Sequence, residues 1–292
     1  MTGKNSPPPE QFAGVQAVCS LAAAGAVTVP LADLPALRDR PGGLHSRPVP
    51  PRFLRHADEQ TVLGLAAVLR AMQDSNLAAE RYDGWGVVAA PVFPGRLGGA
   101  ATFTKFREGG PAAISPHIIP QNSLHSVAGA ISVALGMHGP NFGIGGGPDA
   151  LAEGLTVAMS LVDDANLSGL WLVLTQWTRE PVPDGRGSTA TETSCLGVAL
   201  ALRAGSGHGA TLRISLPGRH PSGSSDACHA RFERPASPPG PSANGRAALA
   251  ELARWVEDGA DGRSSAPWSF GLPWGGQVAL VAEQYHQRAK AA

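Results

Sequence analysis

Short apolar runs and one well-marked helical stripe organise this chain. Val62, Leu65, Ala66, Leu69 and Met72 recur at helical spacing with Arg and Gln between them, which predicts an amphipathic helix over 56–76. Continuous apolar runs predict buried strands at 86–92, 169–177, 194–204 and 210–216. The run 15–29 predicts a further strand, with a turn at Gly25. Small apolar residues over 123–136 predict a buried helix, and 141–145 a strand behind it. Pro148 and Asp149 then suit the first turn of a helix to about Val162. An amphipathic helix is expected over 246–258, and a glycine turn feeding a last strand over 268–283. The Pro- and Gly-rich stretches 34–51, 94–111 and 217–245 read as loops. Strands alternating with helices argue for an α/β layered fold.

Composition narrows the function classes. The 292 residues are 43% hydrophobic and 16% charged, which describes a globular chain. Lys+Arg and Asp+Glu are both 23, so no basic excess exists to hold nucleic acid or an anionic membrane. No apolar run reaches the length of a membrane span. The polar, Pro-rich residues 1–12 read as a disordered lead-in without a signal peptide's apolar stretch. Cys19, Cys195 and Cys228 are too few and too irregularly spaced for a disulfide framework or a zinc site, so a cytoplasmic location is expected.

Residues 115–155, SPHIIPQNSLHSVAGAISVALGMHGPNFGIGGGPDALAEGL, resemble a β-ketoacyl synthase of the thiolase fold. That family has a segment of the type P…N…A-G-x-I-S-x-x-L-G-x-x-G-P, leading to a nucleophile elbow. Residues 191–202 resemble the strand that ends the synthase's first half, and WSFGLPWGGQVALVAE at 268–283 resembles its closing segment. The resemblance implies a thiolase-like α/β/α/β/α layered fold, with a first half over 13–204 and a shortened second half over 205–292. It also implies departures. Pro148 falls where the family has its Cys, and no hydroxyl or thiol occurs from Asn141 to Leu155. Decarboxylative condensation needs a thiolate to carry the acyl chain and two His to stabilise the enolate. Neither the H-G-T-G-T nor the K-x-x-x-G-H motif is present. The chain is therefore similar to the shortened, Cys-less chain-length-factor proteins of aryl polyene and related polyketide-type pathways. The resemblance implies a non-catalytic subunit, forming a homodimer or a heterodimer with a ketoacyl synthase, with an acyl carrier protein as a further partner. The dimer contact would be Asn141, Phe142, Gly143 and Ile144. Phe142 and the helix from Pro148 would shape an acyl channel.

Individual residues leave alternatives. The Gly145-Gly146-Gly147-Pro148 turn lacks a full G-x-G-x-x-G spacing, so a tight elbow is favoured over a phosphate cradle. A residual small-molecule contact at Phe142, Gly145, Gly146, Gly147 and Asp149 is the remaining reading. His125 is a weak catalytic candidate, for an acyl or aryl thioester transfer, because no nucleophile lies near it in sequence. A stand-alone binder of an aryl or acyl group is a third reading. His138 reads as a surface residue. His208, His220, Asp226, Cys228 and His229 do not have metal-ligand spacing. No metal or cofactor is expected. Asp163 and Asp164 read as a solvated helix end, Cys195 as a buried inert thiol, and Trp171, Trp177, Trp268 and Trp274 as core before aromatic wall.

Overall fold

The computed structural model describes residues 15–40, 49–50, 53–73, 75–116, 118–163, 167–181, 192–205, 210–216, 245–260 and 266–282. Eight strands form one sheet: β1 (Val15–Pro30), β2 (Trp85–Pro91), β3 (Asn141–Gly143), β4 (Gly169–Trp177), β5 (Ser194–Ala204), β6 (Ala210–Leu216), β7 (Trp268–Gly271) and β8 (Gln277–Ala282). Their spatial order is β3-β2-β4-β5-β1-β6-β8-β7. β3, β2 and β4 run parallel, and every other neighbouring pair is antiparallel. The helices are α1 (Leu34–Asp39), α2 (Glu59–Gln73), α3 (Arg96–Gly109), α4 (Ile118–Asn122), α5 (Ser126–Leu135), α6 (Ala150–Val162) and α7 (Gly245–Ala260).

Alternation along the central strands divides the core. Val87 and Ala89 of β2, Trp171 and Val173 of β4, and Ala199 and Ala201 of β5 face α2 and α5. Their neighbours Val88, Ala90, Leu172, Leu174, Val198 and Leu200 face α6 and α7. Both faces are covered, which is why these strands read as unbroken apolar runs. Residues 169–177, 194–204 and 210–216 are strands with the expected ends.

The α/β class stands, and the described strands show how its layers are built. The described strands make a single sheet with helices on both faces. The reason lies in the pairing: β6 joins the free edge of β1, and β8 and β7 extend outward from β6. The second-half strands therefore widen the first sheet and do not stack a second one on it.

Gly25 does not turn the chain, because β1 passes through it unbroken. A Cβ there would lie 2.5 Å from the backbone of both Ala67 and Ala71, so the glycine admits the close crossing of α2. Residues 94–111 contain a helix, not a loop. α3 carries no buried side chain, so it shows no apolar stripe, and it is bounded by Gly95 and Gly110 in left-handed conformation. Part of 34–51 is also helical, with Pro35 in the first turn of α1. Residues 268–282 form a two-stranded hairpin. The loop expected at 217–245 lies, but for Gly245, outside the described residues. No helix among the described residues is long and apolar enough to cross a membrane.

Candidate functional site

The parallel strands β2, β3 and β4 end at the same edge of the sheet, the position where open α/β sheets form ligand crevices. A cavity of about 850 Å³ opens there. Phe93 follows β2, Gly145 and Gly146 follow β3, and Glu180 and Pro181 follow β4. Arg96, Gly99, Ala100 and Phe103 of α3 close one side, with Asn122 and Leu124.

Two glycine-dependent turns shape this edge. Gly145 and Gly146 have φ of 79° and 86°, where an L side chain is strained. Gly143 meets the Leu124–His125 backbone so closely that no Cβ fits. The segment continues the ladder, with Ile144 N–H donating to the Ala89 carbonyl at 2.9 Å and Phe93 N–H to the Gly146 carbonyl at 3.1 Å. Phe93 itself sits at φ 50°, an unfavourable value for a bulky residue. Gln60, fully buried, holds that turn in place. Its Nε2 donates to the Val92 and Phe93 carbonyls at 2.9 and 3.2 Å, and its Oε1 accepts from the Thr175 hydroxyl at 2.8 Å.

The cavity's charges are paired. Arg96 contacts Glu180 at 2.8 Å, and its guanidinium lies 4.8 Å from the Phe93 ring centroid. Arg246 approaches the same carboxylate at 3.9 Å. Phe93, Phe103, Leu124 and Pro181 supply an apolar lining, and Asn122 an amide. Among the described residues that line it, none carries a hydroxyl, thiol or imidazole. The lining can bind and shape an apolar chain with a polar end.

Of the residues singled out in the sequence, the cavity gathers Gly145 and Gly146. Gly147, Pro148 and Asp149 follow them toward α6 without lining it, and Pro148 and Asp149 are exposed. Asp149 is the N-cap of α6, so the helix begins at Ala150, two positions after the expected Pro148, and the Asp149 side chain makes no cap hydrogen bond. The Pro148 carbonyl lies 3.0 Å from where a Cβ on Gly245 would sit, so the elbow abuts the start of α7. Asn141, Phe142 and Gly143 form β3, which among the described strands pairs only with β2 and is one of the sheet's two edges. Phe142 is 46% exposed on it.

His125 is exposed, at the N-cap of α5, and lies outside the cavity lining. His138 is exposed. Trp171, Trp177 and Trp268 are buried in the core, and Trp274 is exposed. Cys195 is buried, and its thiol is pushed well above its ordinary value by that burial. Asp163 is exposed at the end of α6. Asp164, His208, His220, Asp226, Cys228 and His229 lie outside the described residues. Sequence reasoning passed over Phe93, Arg96, Phe103, Asn122 and Glu180, which come from four separate segments.

Comparisons with known proteins agree with this architecture. Residues 46–146 match the model of the β-ketoacyl synthase N-terminal domain. No curated protein matches the chain. Among solved structures, the ishigamide ketosynthase/chain length factor is 16% identical with a TM-score of 0.51, over 91% of this chain and 99% of that one. The type II polyketide synthase complex AntDE:AntF, an acyl carrier protein with its ketosynthase, is 14% identical with a TM-score of 0.46, over 65% and 63%. The ketosynthase ApeO in complex with its chain length factor ApeC, from Xenorhabdus doucetiae, is 13% identical with a TM-score of 0.43, over 72% and 62%. This chain thus spans less than two thirds of the chains in the latter two structures. The family match ends at Gly146, two residues before Pro148. The chain is therefore β-ketoacyl synthase-like over residues 46–146, on a thiolase-like α/β fold shared with a ketosynthase/chain length factor.

Proposed function

We propose that this chain is a non-catalytic, ketosynthase-like subunit of the chain-length-factor kind. It would act in the cytoplasm beside a Cys-bearing β-ketoacyl synthase and an acyl carrier protein, in polyketide or aryl polyene-type assembly. One observation carries the reading. The cavity stands where the parallel strands β2, β3 and β4 end, yet its described lining holds no hydroxyl, thiol or imidazole; the family resemblance, which would put Pro148 where the Cys stands, points the same way. Such a cavity can measure or shelter a chain that another subunit builds. The edge strand β3 supports an assembly role. Among the described residues it leaves one backbone edge unpaired, exposes Phe142, and carries a buried Asn141 Oδ1 with no hydrogen-bond partner.

The test is co-purification with a Cys-bearing ketoacyl synthase from the same source, followed by light scattering. A stable 1:1 complex is expected, and Phe142→Asp is expected to weaken it at least ~100-fold, because a charge would enter a desolvated interface. An unchanged mass for the variant complex would remove β3 from the interface. Turnover of an aryl or acyl thioester by the isolated chain would overturn the non-catalytic reading in favour of a small enzyme.

A further inference from the structure

Helix α3 is a wall between two cavities. One face of it lines the 850 Å³ cavity through Arg96, Gly99 and Phe103. Its other face, through Gly98, Thr102 and Lys105, lines a second cavity of about 710 Å³. The two linings differ in kind. The first pairs its charges, Arg96 with Glu180. The second gathers cations from three separate places: Arg38 on α1, Arg55 ahead of α2, and Lys105 on α3. Across from them, Ala101, Ala113, Ile114 and Ile118 supply apolar lining.

Two carboxylates share this second lining, and both are engaged. Asp58, 4% exposed, is turned to the backbone. Its Oδ2 accepts from the Gln60 N–H at 3.0 Å, at the start of α2, and its Oδ1 from the Gly95 N–H at 3.1 Å. Glu59 Oε1 accepts from Arg38 Nη2 at 3.2 Å, and the same nitrogen donates to the Ala57 carbonyl at 3.1 Å. Neither Arg55 nor Lys105 has a carboxylate partner among the described residues. Arg38 adds a sharper sign. Its Nε is buried, and no acceptor among the described residues meets it. Folded proteins rarely leave a buried donor unmatched, and this one belongs to a side chain in a cavity wall.

We infer that the second cavity is a binding site for a phosphate monoester with an apolar body. Donor geometry selects the head group. A phosphate monoester carries close to two negative charges at neutral pH and three acceptor oxygens, and the three cations come from three elements. A carboxylate offers two oxygens in one plane and a single charge. The guanidinium groups of Arg38 and Arg55 supply directed N–H donors, and the Lys105 ammonium a compact point charge. The Thr102 hydroxyl stands in the same lining, one helical turn before Lys105. The isoleucines and alanines then take the carbon part of the ligand, which bare phosphate lacks. The site lies across α3 from the first cavity and does not rest on the synthase-partner reading.

Calorimetric titration of the full chain with phenyl phosphate, benzoate and inorganic phosphate tests it. Phenyl phosphate should bind at least ~10-fold more tightly than either of the others, because it alone joins a dianionic head to an apolar body. Arg55→Gln and Lys105→Gln change exposed side chains, and each should weaken phenyl phosphate ~5–20-fold. Arg213→Gln, at an exposed position on β6 away from the cavity, should leave its affinity unchanged. Equal affinities for the three anions would mean adventitious attraction to surface cations and would overturn the site. So would a failure of phenyl phosphate to bind, or binding that survives both Arg55→Gln and Lys105→Gln. Retention of an acidic carrier protein through Arg55 and Lys105, with no uptake of phenyl phosphate, would make them a protein-docking surface and overturn the site as well.

Discussion

Helices α2 and α3 both flank the cavity and are held in opposite ways. In α2 every residue but Glu59, Arg70 and Gln73 is buried, between the sheet and α5. In α3 none is. Packing on that scale makes α2 inseparable from global folding, whereas α3 can open while the core stays intact. The cavity belongs to both helices. Gln60 of α2 fixes the Phe93 turn that forms one wall, and α3 supplies another. A precise wall and a yielding wall meet at one site, which suits a pocket that must be shaped and also entered.

Substitutions at glycine sharpen this contrast. Gly25→Val drives a side chain into the α2 backbone at Ala67 and Ala71, and it should cost more than ~4 kcal/mol, enough to leave the chain largely unfolded by circular dichroism. Gly64→Ala, within α2, places a Cβ 2.7 Å from Val127 and 3.1 Å from Val173. It should lower stability by ~1–3 kcal/mol in a urea melt, despite alanine's better helix propensity. The same change at Gly99 of α3 meets nothing within 4 Å. Gly99→Ala should therefore gain ~0.5–1 kcal/mol of local helix stability, read as a ~2–5-fold slowing of exchange in α3 with almost no shift in Tm. Equal and opposite shifts in global stability from Gly64→Ala and Gly99→Ala would show that α3 is as coupled to the core as α2.

The same physics decided what the sequence could disclose. β4 and β5 are legible to their end residues, because strands covered on both faces write continuous apolar runs; β6 is legible to its ends as well, although its exposed Arg213 interrupts the run. α3 reads as a loop in the sequence because helical periodicity is a record of burial, and no residue of α3 is fully buried. The elbow glycines announced themselves, as Gly145 and Gly146 need a left-handed backbone. The cavity's working side chains did not. Phe93, Arg96, Asn122 and Glu180 are unremarkable in their local contexts and meet only through the parallel ends of β2, β3 and β4. Asp58 preceding the α2 stripe is a readable helix cap, but nothing near Gly95 in sequence marks it as the second partner. Whether the last strands would stack or widen the sheet was likewise a matter of long-range pairing, which local pattern does not contain.

The position of β1 governs the order in which this protein can be made. It is the first strand of the chain, yet it sits between β5 and β6. Ser20 hydrogen-bonds Arg203, 183 residues further on. At ribosomal rates of ~5–20 residues per second, β1 therefore waits ~10–40 seconds for both of its neighbours. During that interval β2, β3 and β4, with their helices, can assemble in parallel array. An apolar sixteen-residue strand is meanwhile left with both edges bare. That makes β1 the segment most in need of a chaperone on the nascent chain, until β5 and β6 close on its two edges.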